Sequence, residues 1–562
     1  MFSYLSLLNR EIMQFWNKKW IIAALVVVAA FGLSFTSPAE RYFEIAKNLD
    51  IFASLFKEVN AMYVDEINPN KTIRTGIDAM LESLDPYTNF ISEDEVEDFR
   101  TLNTGQYGGI GAVTRPIGKR TVVTMVYENY PAYKSGLRIG DEVVKINGLE
   151  LARLTSEEAN HVMRGQVGTP VTLTVKRTGN DNLIELEFKR EKIKISNVPY
   201  FGMLSTDVGY IQLTEFTPDA GKEVKNALIN LKEKGAKYLV LDLRNNGGGL
   251  LHEAVNICNL FIPKGKKVVD TKGKVEENNI TYETLNPHVD LDIPVTVLIN
   301  RGSASASEIV AGTLQDYDRA VIIGERSYGK GLVQVPRLLS YNSQVKITTA
   351  KYYTPTGRCI QVLDYTHRRE DGSVASIPDS LKQEFRTTRG RKVYDGGGID
   401  PDIVIPVTDD ATITKVVYLN GFIFDYATEY AHQHPTLTEP QSFSLTDKEY
   451  GDFITWMKTK DYSFQSPVET ALEELIAEAT KEKSYVDLKS NIDLIQTRLK
   501  DLRKNELINH KEAIKALLER EIVSRYYFER GAVETTFKSD KELKAAIGVL
   551  HNQPEYKRIL KM

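Results

Sequence analysis

From about residue 195 to about 408 the chain alternates between β-branched runs and amphipathic stretches, in the order VGYIQL, GKEVKNALINLKEK, YLVLDLR, LLHEAVNICNLF, VTVLIN, SEIVAGTLQDY and AVIIGE. Short apolar strands that give way each time to a helix predict βα units joined by crossover connections, with a buried sheet at their centre. Few folds satisfy that pattern, and all of them are α/β. The 562 residues are 42% hydrophobic and 9% aromatic, enough to build real cores, whereas two cysteines cannot staple a fold.

The flanks differ in texture. Residues 38 to 100 carry Ile45, Leu49, Phe52, Leu55 and Phe56 at spacings of three and four and end on the turn LDPYTNF, which predicts a small helical cap. From 105 to 192, short β-branched runs surround one polar helix, SEEANHVMR, as in a compact β-rich module. After about 410 the periodicity is that of amphipathic helices, as in ALEELIAEATKEK and IKALLEREIVSRYYFER. The expected organisation is 1–36 export signal or membrane anchor, 37–104 helical cap, 105–192 β-rich module, 193–409 α/β core and 410–562 helical region.

Trp20 to Leu33 form an apolar run of about fourteen residues behind Arg10, Lys18 and Lys19. The run is shorter than the ~20 residues that comfortably span a bilayer, yet no A-x-A cleavage site follows it. An export signal and an uncleaved anchor both fit, and either delivers the rest of the chain across a membrane. The 71 basic and 76 acidic residues leave a formal charge of -5, so the chain as a whole has no attraction for nucleic acid. Cys258 sits at helical spacing in HEAVNICNLFI and reads as a small buried hydrophobe, not as a disulfide partner of Cys359.

Three motifs carry chemistry. NRGSASASEIVAG places Ser303, Ser305 and Ser307 on a tight strand-to-helix connection, where small residues let a nucleophile project and unpaired N–H groups can meet an oxyanion. Helix capping by Ser303 or Ser305, with Glu308 in the first turn, is the plainer reading of the same run. RNNGGGLL follows the strand YLVLDLR, and Gly247, Gly248 and Gly249 free the backbone to bring amides close to a bound group. In GERSYGKGLVQ, Gly324 to Lys330 match GxxxxGK, but Gly331 stands where a P-loop needs Ser or Thr, and a strand follows, so a nucleotide site is not expected. Lys330 can instead lose its proton through desolvation and act as a general base. His252 opens a helix without an orienting Asp and reads as structural, and His432 and His434 stand too isolated to argue for a metal.

Together, DLRNNGGG, GSASASE and GERSYGKGLVQ resemble the carboxyl-terminal processing peptidases, the tail-specific serine proteases of the S41 class. The similarity runs from about residue 40 to 408 and takes in DPYTNF, GGIGA, TTAKYYTPTGRCI and GGGIDPDI. It implies a crotonase-like ββα spiral core with an inserted PDZ domain and helical N- and C-terminal regions. By motif, Ser305 is the nucleophile, Lys330 the general base and Gln334 the residue that helps hold the lysine, while the N–H groups of Gly249 and Ala306 form the oxyanion hole. No cofactor or metal is implied.

The β-rich module resembles the family's PDZ domain. Tyr107, Gly108, Gly109, Ile110 and Gly111 correspond to the loop that captures a terminal carboxylate, and the next strand offers an edge to the peptide. Ile110, Val113 and the helix around 156 to 164 are expected to line the groove; Arg164 is either a solvated helix-end cation or a sensor of the arriving tail. The implied activity is that of an exported endopeptidase, periplasmic or otherwise extracytoplasmic, acting on polypeptides with free, apolar C-termini. A catalytically silent tail-binding adaptor is the alternative, and a homo-oligomer or partner held by the C-terminal helices stays open.

Overall fold

Val208–Gln212, Tyr238–Asp242, Val295–Ile299 and Ala320–Gly324 are the parallel centre of a six-stranded sheet in the computed structural model of the protein. Tyr200–Met203 joins one edge antiparallel, and Ile403–Val404 joins the other edge parallel. The structure describes residues 38–154, 156–369, 373–406 and 411–562; the apolar run Trp20 to Leu33 lies outside them. Among the described residues no helix is long and apolar enough to cross a membrane.

Strand order decides where the helices go. The central strands are added one after another in the same direction, and right-handed crossovers then put every connecting helix on one face. Ala220–Glu233, Leu251–Phe261 and Ala306–Asp316 accordingly pack together against Leu239, Leu241, Val297, Ile299 and Ile322. Cys258 is fully buried in that layer; it and Cys359 are both free thiols.

The alternate residues of the same strands, Val240, Leu298, Val321 and Ile323, face the other way and are equally apolar. They are covered from the far end of the chain, by Leu543, Ala546 and Leu550 of the helix Lys541–His551 and by Tyr556 and Leu560 beyond it. The last part of the helical region is therefore the second layer of the α/β core, which strand periodicity alone does not reveal.

The helical cap expected over 37–104 is divided. The described chain forms two compact units, the first ending at Ser83 and the second running from Leu84 to Met562. The first holds the helices Pro38–Met62 and Pro69–Glu82, the latter capped by Asn68, whose side chain accepts from Lys71 N at 3.1 Å. Ile45, Leu49, Phe52 and Leu55 stay exposed. Residues 84–104 belong to the second unit, where Asn89–Ile91 pairs with Gln344–Tyr353 in a sheet that also contains Lys267–Gly273, Ile280–Glu283 and Leu332–Leu338.

The β-rich module folds into a sheet in which Ala112–Ile117 is an edge strand, beside Arg120–Val126. Phe424, from the helix Phe422–Gln433, is buried in the module's own core, and Phe528 packs edge-on against Tyr133 at 5.5 Å. Arg120 pairs with Asp425 at 2.8 Å across the same junction. The C-terminal helices thus touch both the module and the six-stranded sheet. Leu550→Ala, which empties a fully buried site under that sheet, is expected to cost about 2–5 kcal/mol in urea unfolding.

Candidate active site

The three serines of GSASASE have different surroundings. Ser303 Oγ donates to Leu243 O at 2.8 Å and accepts from Asn300 N at 3.0 Å, and Ser307 Oγ donates to Asn246 O at 2.9 Å; both residues are fully buried. These hydroxyls hold the turn together. Ser305 is half-buried and stands at the N-cap of Ala306–Asp316, in a reciprocal capping box with Glu308. Its backbone, at φ 53° and ψ -112°, lies in a region that costs a non-glycine residue roughly 1–3 kcal/mol. Sharp strand-to-helix turns with that strain push a side chain into the open.

The glycine loop lies against this turn. A Cβ on Gly248 would come within 2.8 Å of both Ala306 N and Ser305 Cβ, so only glycine permits the approach. Asn246 fixes the loop: its Nδ2 donates to Leu213 O at 2.8 Å, its Oδ1 accepts from Gly248 N at 2.9 Å, and its carbonyl accepts from Ala304 N at 3.0 Å. The N–H groups of Gly249 and Ala306 have no backbone acceptor among the described residues.

Glu308 joins the serine turn to the lysine loop. Its Oε2 accepts from Ser305 N at 2.8 Å and Lys330 N at 2.9 Å, and its Oε1 accepts from Gly329 N at 2.7 Å and Ser327 Oγ at 2.6 Å. Burial outweighs the pull of these donors and leaves the carboxyl raised to about 7. A loop whose amides already serve a protein carboxylate has none to spare for phosphate, which disposes of the P-loop pattern on physical grounds. In the sequence Glu308 is only an acid in a first helical turn, and the S-x-x-E spacing of a reciprocal cap is the signal that marks it. Tyr352 adds a second tie, its hydroxyl donating to Ser305 O at 3.1 Å and to Lys330 O.

Lys330 is half-buried, with its amine 4.5 Å from the centroid of the Tyr87 ring. Burial, helped by the neighbouring Lys346 ammonium, holds the amine below the usual lysine range against the pull of Glu308 and Asp85. Tyr87 is presented by the DPYT turn, in which Asp85 Oδ1 accepts from Tyr87 N and Thr88 N, both at 2.8 Å. Gln334 does not hold the lysine in this arrangement: its Nε2 donates to Thr348 Oγ1 at 3.2 Å, and Thr348 N donates to Thr88 Oγ1 at 3.1 Å. His252 is exposed, with its ring 3.6 Å from Glu253.

In the β-rich module, Tyr107, Gly108 and Gly109 form part of a strand paired with Glu191–Lys194, and Ile110 and Gly111 follow at the turn. Gly165 N donates to Gly108 O at 3.0 Å, and a Cβ on Gly108 would sit 2.1 Å from Gly165 O. Arg164 lies 5.1 Å over the Tyr107 ring and pairs with Asp98. Ile110 departs from expectation: it is buried in the module's core, because its carbonyl anchors Ala132 N at 2.8 Å and turns the residue inward, whereas Val113 is exposed.

Family models match three stretches: peptidase family S41 over residues 207–367, a PDZ domain over 108–188, and the C-terminal helical domain described for probable PDZ-proteases over 413–550. The carboxy-terminal-processing protease of Bartonella bacilliformis is 36% identical over 349 residues, covering 61% of this chain and 79% of that protein. A probable CtpA-like serine protease of Staphylococcus aureus is 36% identical over 394 residues, covering 68% of this chain and 75% of its own. Among solved structures, the photosystem II D1 C-terminal processing protease matches at 26% identity over 63% of this chain and 92% of its own, with a TM-score of 0.34. A peptide-bound PDZ domain of the Vibrio cholerae carboxy-terminal protease matches at 24% identity over 16% of this chain and 99% of its own, with a TM-score of 0.15. The chain belongs to the carboxy-terminal-processing serine proteases of peptidase family S41 and carries their PDZ domain.

Proposed function

We propose that this protease is exported, takes the free C-terminus of a polypeptide into the PDZ groove and cleaves within the tail by a Ser305/Lys330 dyad. The observation that carries the dyad is the Glu308 carboxylate, which binds the backbone N–H of both residues and so makes the serine turn and the lysine loop one rigid piece. Export is supported by the apolar run behind Arg10, Lys18 and Lys19. Tail capture is supported by the edge strand Ala112–Ile117 directly after Gly111.

In this mechanism the flexible lysine stem carries the neutral amine from the Tyr87 ring to Ser305, where it takes the hydroxyl proton as Oγ attacks the scissile carbonyl. The N–H groups of Gly249 and Ala306 receive the developing oxyanion. The ammonium then gives its proton to the leaving amine, and water, deprotonated by the same lysine, hydrolyses the acyl-enzyme. After that swing Gln334 steadies the lysine through its Oε1, while its Nε2 donates to Thr348 Oγ1.

Ser305→Ala and Lys330→Ala are each expected to lower kcat/KM by about 10³-fold or more, and the double variant no further, because the two groups act as one unit. Peptide cleavage at wild-type rate by either variant, with its fold intact by circular dichroism, overturns the dyad.

Activity is also expected to rise with pH. The competent form is the neutral amine, and burial lowers its pKa, so the acylation limb should climb through an apparent pKa below the ~10.5 of free lysine. Single-turnover acylation that stays flat from pH 5 to 9, at constant substrate binding, argues against a titrating lysine.

A charge-assisted hydrogen bond to the terminal carboxylate is worth roughly 1.5–3 kcal/mol, so amidating a peptide's C-terminus should cut kcat/KM about ten- to a hundredfold. Equal cleavage of the free and amidated peptides would show that the PDZ module does not read the tail.

A further inference from the structure

The loop that carries Gly249 begins at Arg244, and the Arg244 guanidinium is gripped by residues nearly 300 positions away. Its Nη2 lies 2.7 Å from Asp540 Oδ2, and its Nη1 donates to Glu542. Locally, its Nε donates to both oxygens of Asp242 at 3.0 Å, and its backbone N–H donates to Asp242 Oδ1 at 2.9 Å. Asp242 in turn accepts from the buried Tyr210 hydroxyl at 2.7 Å. All four charged side chains are largely buried. Asp540 has two duties: its other oxygen caps the helix Lys541–His551 by accepting from Leu543 N at 2.9 Å. The first turn of the helix that covers the bare face of the sheet is thus bolted to the residue from which the glycine loop departs.

A hydrophobic cover has no need of this. Leu543, Ala546, Leu550 and Tyr556 account for the packing of these helices on Val240, Leu298, Val321 and Ile323. The ion pairs lie at the carboxyl end of the strand Tyr238–Asp242, where the catalytic loop leaves the sheet. A guanidinium is a planar fork, so carboxylates on more than one of its nitrogens fix its direction as well as its position. Between Arg244 and Leu250, whose N–H donates to Phe216 O at 2.8 Å, the loop spans only Asn245 to Gly249. With both ends fixed, the Gly249 amide has little room to drift.

We propose that Asp540 and Glu542 are positioning residues for catalysis: acting through Arg244, they hold the Gly249 donor in register with Ser305, so that the start of the helix Lys541–His551 sets the place of a catalytic group. This rests on the assignment of Gly249 as an oxyanion donor, and it deepens that assignment by naming what sets the donor's place. Misplacing a catalytic group by about 1 Å costs roughly a hundredfold in rate.

The test uses the full-length protein and four variants: Asp540→Asn, Glu542→Gln, the two combined, and Leu550→Ala, which loosens the same helix without touching the ion pairs. For each, kcat and KM on one peptide are measured with the rate at which a fluorophosphonate labels Ser305, a reaction whose phosphoryl oxygen occupies the oxyanion position without engaging the PDZ groove. Urea unfolding gives the folded fraction to which every rate is referred. The combined variant is expected to lose about ten- to a hundredfold in kcat and in labelling rate per folded molecule, with KM within twofold of wild type, while Leu550→Ala keeps both rates. Wild-type kcat and labelling in the combined variant overturn the proposal, as does a loss that merely tracks the folded fraction or an equal loss in Leu550→Ala. Ser305→Ala, run alongside, separates the two levels: if it still cleaves, the dyad reading has failed; if it is dead while the combined variant is fully active, only the positioning role has.

Discussion

A buried carboxylate needs every lone pair answered, and at Glu308 the answers come from the loops that carry Ser305 and Lys330. A carboxylate stripped of water is costly unless hydrogen bonds replace its hydration. Here the replacements are the N–H groups of Ser305, Gly329 and Lys330 and the hydroxyl of Ser327. The serine turn follows one strand of the sheet and the lysine loop follows the next, so nothing in the local chain relates them. Glu308 relates them, and in doing so it holds Ser305 in a backbone conformation that it would otherwise leave.

A second constraint is topological. Because consecutive strands are laid down in one direction, the connecting helices all fall on one side, and a sheet with two apolar faces is left half bare. The chain answers from its far end. Once the helices of residues 541–559 lie on that face, the segment before them must return across the molecule, and on its way it packs Phe424 into the core of the PDZ module and sets Phe528 against Tyr133. Covering the sheet and joining the PDZ module to the protease are therefore performed by one helical region.

The strands and helices of the core were legible because each is a local matter: alternate apolar residues make a strand, apolar residues at three and four make a helix, and both patterns are written within about a dozen positions. The motifs that contain Ser305, Lys330 and Gly249 are equally short and so stand out in the sequence. Glu308 was visible only as a first-turn acid, since its partners Gly329 and Lys330 lie more than twenty residues away. Ile110 looked like a groove residue by its place in GGIGA, yet the bond from Ala132 turns it into the core. The strand Asn89–Ile91 was hidden because three residues are too few for a period to show.

The amino-acid order by itself determined the α/β core, the PDZ-like module, the helical C-terminal region and the residue types at the candidate site. Tertiary structure decided which of three similar serines stays half-buried while the other two are sealed in, what the lysine amine rests on, and why the chain needs residues 540 to 560. Those outcomes depend on pairs such as Glu308 with Lys330, Arg244 with Asp540, and Leu298 with Leu550, whose members are distant in sequence and meet only when the sheet has been built and covered. A pattern of period two or three and a half records which way a side chain points, not what it will find there.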